Sequence, residues 1–305
     1  MKFRAVCIAI LFMMTLSACH EVKSNDTNKN INSSAIISSC SWEKHGHQPL
    51  MSTVVSQPLL SANEGMTIDV PEAGLNSVVV RKKTEAHTTN FSQYPLYAYI
   101  LSDYRYSQPA IHDTYLAVET GSKILFYDLG NSSLDDVLFT NDVDGDGLDE
   151  IIVQQTVDET GGAGQFSSSI FKVRSDQIHE LFNSSTSNLF ETGFSSTLED
   201  GFKLKVENRF TGYSATLDFN ADWRYVGTYF DESGKVIWSE PIMCDSFREF
   251  VPEDTDGDGI YEIACLQYVS LYGHSDYVGD AKSILRFNVQ AQQFEVAEAS
   301  FIPAL

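Results

Sequence analysis

Asp142-Val-Asp-Gly-Asp-Gly-Leu-Asp-Glu150 returns further along the chain as Asp254-Thr-Asp-Gly-Asp-Gly-Ile-Tyr-Glu262. Carboxylates fall at the first, third, fifth and ninth places of both strings, and glycine at the fourth and sixth. Three aspartates turned toward one another would repel and be costly to bury without a countercharge. Calcium takes six to eight hard oxygens at about 2.3–2.6 Å from a flexible shell, which a bend of this kind supplies. Gly147 and Gly259 let the chain turn sharply enough to bring the late ligands back round an ion. The candidate ligands are therefore Asp142, Asp144, Asp146, the carbonyl of Leu148 and Glu150, and Asp254, Asp256, Asp258, the carbonyl of Ile260 and Glu262, for two Ca2+ sites.

An EF-hand is excluded, because the twelfth places hold Val153 and Cys265 in lieu of a bidentate glutamate. Magnesium demands tighter octahedral geometry with retained waters, and zinc or iron would call for His or Cys, which these bends lack. The flanks read as strands. Asp135–Phe139 and Phe247–Val251 precede the bends, and Ile151–Val153 and Ile263–Leu266 follow them. Further on, Ile170–Val173 is matched by Ile284–Val289, and Ile178–Phe182 by Gln293–Val296. Strand order shared over so long a stretch points to an internal repeat, with units around 110–182 and 224–298.

Period-two alternation continues between the copies, in Phe202–Val206 and Tyr213–Phe219. Arg224–Phe230 and Lys235–Trp238, separated by Asp-Glu-Ser-Gly, predict a hairpin. Ser77–Val80, Tyr115–Val118 and Lys123–Tyr127 are earlier strands, and Tyr94–Asp103 is a strand or one modest helix. No long stretch has a 3.6-residue period. The expected class is all-β, either β-propeller-like, incomplete or degenerate, or two β lobes with an internal repeat.

Both bends resemble the D-x-D-x-D-G-x-x-(D/E) calcium loops of FG-GAP and VCBS repeats, found in integrin-like β-propeller blades. The closer likeness is to bacterial VCBS repeat-containing lipoproteins, in which the loop leads into a strand and a glycine-rich stretch, here Gly161–Gly164, while Gly279–Asn288 resembles their second copy. The likeness covers residues 110 to 305. It implies that the calcium is structural and that the eight carboxylates above are the ligands.

The chain opens with Lys2 and Arg4, an apolar run from Ala5 to Leu16, and Leu16-Ser-Ala-Cys19. That order reads as a secretory signal over 1–18, and its last four residues resemble a bacterial lipobox, which makes Cys19 the lipidated residue. His20 follows in place of the Asp that favours inner-membrane retention. The resemblance therefore implies the outer membrane, facing periplasm or exterior. Residues 19–40 are polar and read as a tether, leaving 41–305 as the body. Outside the cytoplasm disulfides are allowed; Cys244 and Cys265 flank the second bend and are expected to pair, with Cys40 free or partnered instead with one of them.

Acidic residues outnumber basic ones 42 to 20, for a net charge of −22. A surface of that sign excludes nucleic acid as a partner and favours cations. Nucleotide binding is excluded as well, since Gly161-Gly-Ala-Gly164 lacks the Gly-Lys-Ser/Thr of a phosphate loop. His45 and His47 lie in the leader region. His112-Asp113 and His274-Ser-Asp276 have no G-x-S-x-G elbow to serve. Tyr268, Tyr272, His274 and Tyr277 would suit a binding rim or a hairpin core. Two functions follow: a membrane-anchored extracytoplasmic module, calcium-stabilised and non-catalytic, that contacts protein or glycan; or a calcium-dependent extracytoplasmic hydrolase.

Overall fold

The computed structural model describes residues 62–86, 96–103, 112–120, 123–132, 136–158, 165–175, 177–184, 192–219, 224–238, 242–271 and 276–304. The signal, Cys19, the tether, Cys40, His45, His47, Gly161–Gly164, Tyr272 and His274 lie outside them. The described residues build four antiparallel sheets, each from one contiguous stretch of chain with neighbours in sequence order.

The first sheet holds β1 (Thr67–Val70), β2 (Leu75–Ala86), β3 (Leu96–Asp103), β4 (His112–Thr120) and β5 (Lys123–Ser132). The second holds β6 (Val137–Asn141), β7 (Glu150–Asp158), β8 (Gln165–Arg174) and β9 (Gln177–Asn183). The third is β10 (Phe194–Glu199), β11 (Lys203–Asn208) and β12 (Ser214–Asp218). The fourth is β13 (Met243–Glu253), β14 (Glu262–Ser270), β15 (Tyr277–Asn288) and β16 (Gln293–Pro303).

Unbroken apolar runs mark strands covered on both faces, and the second sheet is such a case. Ile151, Val153, Phe171 and Ile178 pack with Ile100, Leu116, Val118, Leu125 and Tyr127 of the first sheet. Their neighbours Ile152, Ile170 and Phe182 turn the other way, onto Phe247, Phe250, Ile263, Cys265, Leu285 and Phe294 of the fourth. Polar bonds tie the same layers. Tyr127 OH donates to Glu180 Oε2 at 2.8 Å, and Gln154 Nε2 donates to the Phe247 carbonyl at 2.9 Å. The third sheet buries Leu204 and Val206 against Val269, Ala281 and Phe301 of the fourth. Along β14, Ile263 and Cys265 face the second sheet and Val269 the third, at two-residue steps on one face.

Three expectations need correcting. β4 and β5 pair within the first sheet, so the correspondence between the two stretches is confined to β6–β9 and β13–β16. Residues 224–238 form turns with isolated bridges Val226↔Phe230 and Phe230↔Val236, not a ladder. The Asp231–Gly234 turn is present, with Asp231 Oδ1 accepting from the amides of Ser233 and Lys235 at 2.9 Å each. Its flanks are drawn off by packing: Tyr229 and Phe230 are buried against the third and fourth sheets, with Tyr225, Val236 and Trp238 beside them. Finally, Cys244 and Cys265 are both free. Cys244 lies opposite Val269 and Cys265 opposite Phe250, too far apart along β13 for their Cα atoms to come within about 7 Å.

Candidate metal centre

Each acidic bend joins the first two strands of its sheet, β6 to β7 and β13 to β14. The two fold by the same hydrogen bonds. Asp142 accepts the amides of Gly145 and Gly147 at 2.8 Å each, and Asp254 those of Gly257 and Gly259 at 2.7 and 3.3 Å. Asp144 Oδ1 accepts from the Asp146 amide and Asp256 Oδ1 from the Asp258 amide, both at 3.3 Å. Asp146 Oδ1 then takes the Leu148 amide at 3.1 Å, and Asp258 Oδ1 the Ile260 amide at 2.8 Å. The closing glutamates reach back: Glu150 Oε2 accepts from the Val143 amide at 3.0 Å, Glu262 Oε2 from the Thr255 amide at 3.1 Å. The chain can follow this path because Gly145, Gly147, Gly257 and Gly259 all have φ between +76° and +87°.

The bends lie against each other. The Tyr261 amide donates to the Asp142 carbonyl at 2.8 Å, and the Ile260 side chain covers Gly145. Two acidic clusters result, either of which could coordinate a divalent ion. In the first, oxygens of Asp142, Asp144 and Glu150 lie within 4.8 Å of one another; in the second, those of Asp254, Asp256 and Asp258 do. Each bend thus gathers three of its four expected carboxylates. Asp146 turns its Oδ2 to Arg174 Nη2 at 2.7 Å, and Glu262 is held by the Thr255 hydroxyl and by Arg286 Nε at 3.0 Å.

Surroundings set the two apart. Glu150 is fully buried, and burial, reinforced by the Asp144 charge, pushes its carboxyl up to about 7. Burial also works against the charge of Asp146, but hydrogen bonds from Lys172 and Arg174 outweigh it and hold that carboxyl below the ordinary aspartate value. Asp254, Asp256 and Asp258 are exposed. Beside them Glu262 is buried, yet the Thr255 hydroxyl and amide and the Arg286 guanidinium hold it low.

Lys172, Arg174, Thr255 and Arg286 were missed in the sequence-based ligand set. A signal was there: Lys172 and Arg286 occupy the same place in the matched strands Ile170-Phe-Lys-Val173 and Ile284-Leu-Arg-Phe287. Of the other residues singled out, His112 is buried at the start of β4. Tyr268 and Tyr277 meet edge to face at 5.2 Å, and the Arg248 guanidinium, paired to Asp280 at 2.7 Å, lies over the Tyr268 ring.

Residues 192–302 match the YybI C-terminal domain family. The match spans the third sheet, the turns after it and nearly all of the fourth sheet, including the second acidic bend. No curated protein and no solved structure matches the chain. Among the described residues, no helix is long and apolar enough to cross a membrane.

Proposed function

We propose that the protein is a calcium-stabilised β module of the bacterial cell envelope, lipid-anchored through Cys19, that acts by contact with protein or glycan. The observation that carries the reading is the second bend. Three aspartates converge there in solvent on a backbone bent by Gly257 and Gly259, and each accepts from loop amides, Asp254 through both oxygens and Asp256 and Asp258 through one. That all-oxygen donor set suits a hard cation, and calcium, which accepts irregular geometry, better than magnesium, which demands a near-ideal octahedron. An ion there would hold the β13–β14 connection closed and so add its binding free energy to folding.

The anchor rests on the leader and lipobox resemblance. The propeller-like reading rests on contiguous meanders stacked face to face through the first, second and fourth sheets. The Arg248–Tyr268–Tyr277 cluster is the aromatic surface nearest in character to a protein- or glycan-binding rim.

Thermal unfolding with calcium, with magnesium and with chelator tests the central claim. A ligand at a hundred times its dissociation constant adds about 2.7 kcal/mol, or roughly 5–10 °C for a body of this size. Calcium should raise the Tm by that much over chelator, and Asp254→Asn with Asp258→Asn should remove the difference. Identical melting curves with calcium and with chelator would defeat the proposal.

A further inference from the structure

A basic residue holds the same place beside each acidic bend, on the third strand of each loop-bearing sheet: Lys172 on β8, with Arg174 further along at Asp146, and Arg286 on β15. They match in sequence position and differ in what they do. The Lys172 side chain is 4% exposed. Its Nζ is bonded to Asp144 Oδ2, lies 2.6 Å from Asp146 Oδ2 and lies 3.2 Å from Glu150 Oε1. A compact ammonium has three donors and no acceptor, and here three carboxylates surround it from one side of the bend. Arg286 is 46% exposed and approaches from the flank. Its planar fork spans Glu262 Oε1 and Asp256 Oδ2 at 3.0 Å each, so that it takes one aspartate of the triad and leaves the other two.

We propose that the Lys172 ammonium is the resident cation of the first bend, standing in the place of a divalent ion, so that the protein holds such an ion in the second bend alone. Two of the three carboxylates that converge in the first bend, Asp144 and Glu150, are held by Lys172. A divalent ion bound by them would sit against a buried ammonium, and like charges in a poorly hydrated site exclude each other. The guanidinium of the second bend leaves Asp254 and Asp258 to an ion, and its own exposed charge is screened by solvent. A bend that carries its own cation keeps its shape whatever the calcium concentration; its neighbour responds to it.

The inference rests on the reading of the second bend as an ion site, and counting bound calcium per chain by equilibrium dialysis separates the two. Wild type should bind one ion, Asp254→Asn/Asp258→Asn none, and Lys172→Met two. Lys172→Gln, which keeps a polar tip, serves if the methionine variant does not fold. Two ions on wild type, or one retained by the double aspartate variant, would overturn the lysine proposal and leave calcium binding intact. No ion on wild type would refute the reading of the second bend. Lys172→Met or Lys172→Gln then decides the rest: gaining an ion upholds the lysine as resident cation, and gaining none overturns it.

Discussion

Glu150 is the least hydrated carboxylate of its bend, and Lys172, with Arg174 at Asp146, sets two positive charges against the three carboxylates of Asp144, Asp146 and Glu150. The group that loses most by being charged is the one that keeps its proton, which accounts for the rise of Glu150 from 4.5 to about 7. The consequence for stability has a definite sign. Between those two values the native state binds more protons than the unfolded chain, so this group's stabilising contribution is complete below 4.5 and is lost as pH rises through 7. Glutamine keeps a carbonyl for the Val143 amide and does not titrate. In chelator, Glu150→Gln should therefore gain stability relative to wild type as pH goes from 5 to 8, measured by denaturant unfolding across that range. Parallel pH profiles for the two proteins would show that Glu150 titrates normally.

At the level of elements, the acidic bends were legible because their information is local. Ligand spacing, glycines at the turning points and alternating flanks all lie within a few residues of one another. Pairing and register are not local. The sequence marks β4 and β5 as strands but not which sheet they join, and the flanking of one bend by Cys244 and Cys265 does not bring the two thiols together. β13 shifts register between Cys244 and Phe247 and again before Glu249, which no composition rule foretells. Residues 224–238 carry strand-forming sequence, yet burial of Tyr229 and Phe230 overrides it. Lys172 and Arg286 were visible as a matched pair, but only the closeness of strand and bend in space gives them a role.

Contact between the bends makes a sharper forecast. Gly145 and Gly257 hold the same place and nearly the same φ, +76° and +79°. A Cβ on Gly257 would meet nothing within 4 Å, whereas one on Gly145 would stand 2.9 Å from Ile260 Cδ1. Gly257→Ala should cost about 1–2 kcal/mol from the left-handed backbone alone. Gly145→Ala should cost more, and the excess should vanish in an Ile260→Val background, which lacks that methyl. Equal costs in a double-mutant cycle would mean that Ile260 does not press on residue 145.

Across the whole molecule, the all-β class followed from period-two patterning, but the adjacency of sheets did not. The third sheet follows the second in sequence, yet the second packs its free face on the fourth. Such neighbours are chosen by matching apolar faces far apart in the chain, as where Phe182 stacks on Phe250 with ring centres 5.5 Å apart. The excess of acidic residues bears on solubility and association, not on fold. If Cys19 carries the lipid, the full chain expressed in a Gram-negative host should fractionate with membranes. Cys19→Ser should then abolish the lipid anchor and appear in the soluble fraction; a membrane-bound serine variant would remove Cys19 from the anchoring.

The bond from the Tyr261 amide to the Asp142 carbonyl joins main chain to main chain. Such a link is indifferent to what side chains hang from either partner, with proline at 261 the exception. The two bends are thereby free to differ in what they hold, one settling on an internal lysine and the other open to solvent ions, without ever losing their place beside each other.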